Sequence, residues 1–139
     1  MDLYSKYAWA GHLNGRAIVI DPGHGGDNPG GIDEINGSRH GGEIYYYIHS
    51  EQGRALALSF YKSLQQTVRD LQCQVLSKDF FILSKTSMPS VLIEMGYITN
   101  YREGPRLLTP TYQERLAEAF AAAINKYFRR IRKTSCKGR

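Results

Sequence analysis

The sequence predicts an α/β domain, a truncated three-layer sheet with helices on its faces. Short β-branched or aromatic runs (Ala17–Ile20 and Glu43–Ile48) alternate with segments whose apolar residues recur every three or four positions. The chain has 139 residues, enough for one compact domain and not for two. Its 42% hydrophobic and 22% charged residues are ordinary for a globular protein, so neither a disordered nor a fibrous chain is expected.

Ala17–Ile20 reads as the first strand, closed by the turn residues Asp21-Pro-Gly23. Gly25 to Gly42 follows, eighteen residues with seven glycines and Pro29. Glycine loses too much backbone entropy for such a segment to hold a regular helix, so it reads as a long loop. Glu43–Ile48 is the second strand, and Ser50 is placed to cap the helix after it. Leu56, Phe60, Leu64, Val68 and Leu71 mark that helix's apolar face. Phe80–Leu83 is a third short apolar run. Met88-Pro89 opens a fourth, Ser90–Met95, which ends at Gly96. The last helix is signalled by Pro110 and by the capping-box spacing of Thr111 and Glu114. Its stripe is Leu116, Phe120, Ala123, Tyr127 and Ile131. The organisation read from this is an N-terminal segment (1–16), a domain (17–128) and a basic tail (129–139).

The net charge of +5 is concentrated at the end: Lys126, Arg129, Arg130, Arg132, Lys133, Lys137 and Arg139 lie in the last fourteen residues. Such a tail binds polyanions in general, or is a solvated helix end whose cations suit the negative pole of the helix dipole. No specific nucleic-acid partner is implied. Cys73 and Cys136 form no C-x-x-C pair, which argues against a disulfide or a cysteine zinc site. No apolar run approaches the length of a membrane span. Met1–Arg16 has no continuous apolar core and no small-residue cleavage pattern, so it does not read as a signal peptide.

Two residues stand out chemically. His24, in Asp21-Pro-Gly-His-Gly-Gly26, is expected just past the carboxyl end of a buried strand, where open α/β sheets place their ligands. Neutral imidazole is a common zinc ligand, although a lone loop histidine is usually just polar surface. Glu94 interrupts the apolar run Val91–Met95. A carboxylate there is costly unless it is paired or placed at a cleft, where it serves as a general base. The alternative is an edge-strand acid facing solvent.

Three segments, in order, carry a resemblance. Ile18–Gly26 resembles the opening motif of the zinc-dependent N-acetylmuramoyl-L-alanine amidases of the amidase-3 type. Gly42–Tyr47 and Met88–Asn100 resemble that family's later strand motif and its closing active-site motif. The stretch to Phe128 is similar to its C-terminal helix. The wording Leu92-Ile-Glu-Met-Gly-Tyr97 looks like the sporulation and germination branch. The resemblance implies one Zn²⁺ held by two histidines and a glutamate, with water attacking the amide between N-acetylmuramic acid and L-alanine of peptidoglycan. His24 matches the first zinc histidine and Glu94 the catalytic glutamate. The family also implies work at the cell wall or cell exterior of a bacterium.

One departure matters. The family has a large block between its first two motifs, and here only Gly25 to Gly42 separates them. A parallel crossover with its strand needs more chain than that. Glu34 and His40 are then the nearest candidates for the remaining zinc ligands, with Asp33 and His49 as substitutes and His12 as a surface residue. Losing central elements is also expected to leave strand edges open to self-association. Three readings follow: a zinc amidase, a catalytically impaired remnant that binds cell wall without cutting it, and a basic polyanion-binding module.

Overall fold

The computed structural model of the chain describes residues 18–20 and 40–136. Seven elements are found among them: β1 (Gly42–Tyr47), α1 (Glu51–Thr67), β2 (Cys73–Lys78), α2 (Phe81–Ser84), β3 (Leu92–Glu94), α3 (Glu103–Leu107) and α4 (Pro110–Cys136). The α/β class holds. The sheet order is β2-β1-β3, with β2 parallel and β3 antiparallel to β1. β1, α1 and β2 form a βαβ unit, the connection a parallel pair requires.

α1 starts where the sequence placed it. Ser50 is extended, and its Oγ accepts the Gly53 amide at 2.9 Å. This satisfies one of the amides that no helical carbonyl reaches. Ala57, Phe60 and Leu64 point inward, and the chain leaves the helix at Val68, whose N–H still reaches the Leu64 carbonyl at 2.7 Å. α4 lies along α1 through Leu116, Ala119 and Ala123, all buried. Small alanines let the two helix axes approach closely. Phe60 and Phe120 meet edge to face with centroids 5.3 Å apart. With Ile44 of β1, these residues form one continuous core. Ile44 alone, fully buried, contributes roughly 1.5–3 kcal/mol.

Four details differ from the sequence reading. The strand expected at Ala17–Ile20 is not formed over residues 18–20: Ile18, Val19 and Ile20 lie outside any strand and are exposed. The sheet of the described residues consists of β2, β1 and β3, and this run pairs with none of them. His24, expected just past that strand, lies outside the described residues. The Phe80–Leu83 run becomes one helical turn, while the strand parallel to β1 is Cys73–Lys78. Of that strand only Cys73 and Val75 pack toward the core, too few to mark it in the sequence. Finally, α4 begins at Pro110, so Thr111 lies in its first turn rather than at the cap. The same helix runs on to Cys136, through the start of the basic segment.

Candidate active site

A strand sends successive side chains to opposite faces. On β1, Gly42 and Ile44 are buried and Tyr46 packs against the core, which leaves Glu43, Tyr45 and Tyr47 on the other face. β3 runs antiparallel to β1 with Glu94 directly opposite Glu43 and Leu92 opposite Tyr45. Opposed residues of an antiparallel pair share a face, so the two carboxylates stand side by side. Both are half-buried. Glu94 is the last residue of β3, at the carboxyl end of that strand.

Polar side chains converge on Glu43. Its Oε2 accepts the Tyr45 hydroxyl at 2.6 Å and, at a longer 3.5 Å, the Tyr97 hydroxyl. Its Oε1 accepts Gln74 Nε2 at 3.1 Å from the neighbouring β2. Partial burial, then the hydrogen bond and charge of Glu43, push the Tyr45 hydroxyl up to about 12. The charges of Tyr97 and Glu94 act in the same direction, so these groups form one electrostatic cluster. Phe80 closes one side, its ring edge-on to Tyr45 at 5.1 Å.

Glu43 was not singled out in the sequence. The signal was present: a period-two strand places Glu43 and Tyr45 together, and only the pairing of β1 with β3 adds Glu94. Chemically, a half-buried carboxylate at a strand end is suited to take a proton from water. Its neighbours already hold Glu43 through three donors, which leaves Glu94 as the carboxylate available for that role.

The other candidates are distributed unevenly. His24, Glu34, Asp33 and His12 lie outside the described residues. His40 is exposed and immediately precedes the Gly41-Gly42 entry to β1, at the end of the sheet where β3 leaves. It borders an open cleft of about 470 Å³, lined also by Gln72, Asn100, Tyr101, Glu103 and Arg106. His49 lies past the far end of β1, its ring edge-on to Tyr47. Glu43 and Tyr47 are four strand residues apart, about 14 Å at ~3.4 Å per residue, so His49, in the turn after Tyr47, stands at the other end of the strand from Glu94. Among the described residues, no group of three or more His, Cys, Asp or Glu side chains is placed to hold a metal ion. A donor set of two imidazoles and one carboxylate, the chemistry zinc favours, is not brought together by the described residues alone.

Comparison with known proteins now decides the family. The amidase-3 family, described as N-acetylmuramoyl-L-alanine amidase, matches residues 32–126. This chain belongs to that family. The matched stretch contains Glu43, Glu94 and most of α4, and it starts after the Ile18–Gly26 motif. An uncharacterized cell wall amidase of Bacillus anthracis is 33% identical over 102 residues, covering 68% of this chain and 19% of that protein. The solved N-acetylmuramoyl-L-alanine amidase AmiC2 of Nostoc punctiforme is 35% identical with a TM-score of 0.63, over 70% of this chain and 53% of its own. The CwlD amidase of Clostridioides difficile, solved in complex with the GerS lipoprotein, is 27% identical with a TM-score of 0.60, over 67% of this chain and 48% of its own. The chain thus spans about half the length of the solved amidases it matches. No helix among the described residues is long and apolar enough to cross a membrane.

Proposed function

We propose that this chain hydrolyses the amide between N-acetylmuramic acid and L-alanine in peptidoglycan, at the cell wall or cell exterior of a bacterium. The observation that carries this reading is Glu94: a half-buried carboxylate at the carboxyl end of β3, within the stretch that matches the amidase family. Glu94 takes a proton from the attacking water as the water adds to the amide carbonyl, and passes it to the departing amine. Glu43, Tyr45 and Tyr97 supply the polar wall beside it. His24, Glu34 and His40 are the residues assigned to a zinc ion, which when bound would lower the pKa of its water and polarise the carbonyl.

The test is zinc content measured alongside release of soluble fragments from purified cell walls. About one zinc per chain is expected, with release that disappears in Glu94→Gln. Unchanged release in Glu94→Gln overturns the role of Glu94, and wild-type protein without release overturns the activity.

A second reading has its own support. The family match begins at residue 32, after the Ile18–Gly26 motif. That fits a remnant that binds cell wall without cutting it. Such a protein sediments with walls, carries little zinc and releases nothing.

A further inference from the structure

We propose that Glu103 is a positioning residue of this site, a buried strut that fixes the backbone on both sides of the sheet end where Glu94 stands. The inference rests on the reading of Glu94 as the working carboxylate. Glu103 is only 9% exposed, and a carboxylate is not buried at small cost without partners. Its partners are two backbone amides from distant parts of the chain. Oε1 accepts Gly41 N–H at 2.7 Å, and Oε2 accepts Tyr97 N–H at 3.0 Å. Gly41 joins His40 to the first residue of β1. Tyr97 is three residues past Glu94. One side chain therefore ties the segment entering β1 to the segment leaving β3.

The surroundings are shaped for this. Both connections bend through glycines in the left-handed region, Gly41 at φ 93° and Gly96 at φ 137°. A methyl on Gly96 would stand 3.0 Å from Glu103 Oε2 and 3.4 Å from its carboxyl carbon, so the chain turns in against the carboxylate where a side chain has no room. Glu103 is itself held: Asn100 Oδ1 accepts the Glu103 amide at 3.1 Å and the Arg102 amide at 2.9 Å, and the Asn100 carbonyl accepts Gly104 N–H at 2.8 Å. Hydrogen bonds to a charged acceptor are roughly twice as strong as neutral ones, and a rigid carboxyl group sets the spacing between its two donors. Moving Glu103 displaces the Glu94 end of β3 and the His40 approach together. A misplacement of about 1 Å costs on the order of 10²-fold in rate.

The experiment uses the full chain and the variant Glu103→Gln. Gln keeps one acceptor oxygen but turns an NH₂ toward the second amide donor, so one of the two bonds is lost without a change of shape. On a soluble muramoyl peptide we expect kcat to fall about 10–100-fold with KM within about twofold. An independent readout needs no activity: the NMR signal of the Glu94 carboxyl carbon shifts, and the Gly41 and Tyr97 amides exchange faster together, while the Ile44 and Leu64 amides keep their protection. A Glu94 signal identical to wild type overturns the positioning role. So does loss of protection at Ile44 and Leu64 in step with Gly41 and Tyr97, since that describes a general folding residue. If Glu103→Gln does not fold, Glu103→Asp keeps the charge but draws the carboxylate back from the two amides, and is judged by the same pattern. A wild-type chain that cuts no wall sinks the amidase reading, and the NMR comparison still decides on Glu103.

Discussion

The two faces of β1 are built from alternate residues of one short strand, yet they obey different rules. Toward the helices stand Gly42, Ile44 and Tyr46, and the contacts there are apolar and shared among many side chains of α1 and α4. On the other face stand Glu43 and Tyr45, where each polar group has a named partner and the partners are few. The first face resists by volume, so the loss of one side chain is spread over its neighbours. The second depends on individual atoms. Substitutions one residue apart on the same sheet are therefore expected to separate stability from chemistry.

The sharpest separation is at Glu94. Replacing it with glutamine preserves shape and strand pairing, so the unfolding free energy should change by less than about 0.5 kcal/mol. General acid–base catalysis contributes roughly 10²–10⁴-fold, so release of wall fragments should fall by a factor in that range. Equal losses of stability and activity would mean that Glu94 belongs to the scaffold. The converse substitution is Ile44→Ala on the core face. It leaves a cavity in the core cluster that Ile44 shares with α1 and α4 and should cost about 2–5 kcal/mol in urea unfolding. Activity per folded molecule should stay at the wild-type level.

These two residues also mark what the sequence makes legible. Core positions announce themselves by period: Phe60 and Leu64 on α1, Leu116 and Ala123 on α4 and Ile44 on β1 all repeat at the spacing of their element. Glu94 is legible because an acid in an apolar run needs a reason. Glu43 and Glu103 were not. Each becomes notable only through a partner far along the chain, Glu94 for the first and Gly41 for the second. Local pattern carries no trace of such pairings. β2 was missed for a related reason: its two inward residues, Cys73 and Val75, are too few to show a period, and its place is fixed by pairing with β1. The Ile18–Ile20 run shows the opposite error, since strand composition makes a strand only where the backbone pairs with a neighbour.

A smaller effect tests whether the scaffold stands apart from the site. Ser50 caps α1 at the end of β1 remote from Glu94. Ser50→Ala removes the acceptor for the Gly53 amide and should lower stability by about 1 kcal/mol. Measured by thermal unfolding, that loss should leave the rate of wall hydrolysis in the native temperature range unchanged. A drop in rate larger than the loss of folded protein would show that α1 transmits strain to the site.

The last effect lies in the polar face itself and appears only at high pH. Tyr45 holds its proton up to about 12 in the folded chain, against about 10 for an unperturbed tyrosine. The folded state thus keeps a proton that the unfolded chain releases. The stability linked to this group is fully present below pH 10 and is lost as pH rises from 10 through 12. Tyr45→Phe removes the group and with it this share of the decline. The difference in denaturant midpoint between wild type and Tyr45→Phe should be constant below pH 10 and shrink, in the direction of the variant, as pH approaches 12. A spectroscopic titration should also lose its highest phenolate step in the variant. If instead the step survives, it belongs to another tyrosine, such as Tyr112, whose pKa burial also raises, and the Tyr45 proton is not held by its place in this cluster.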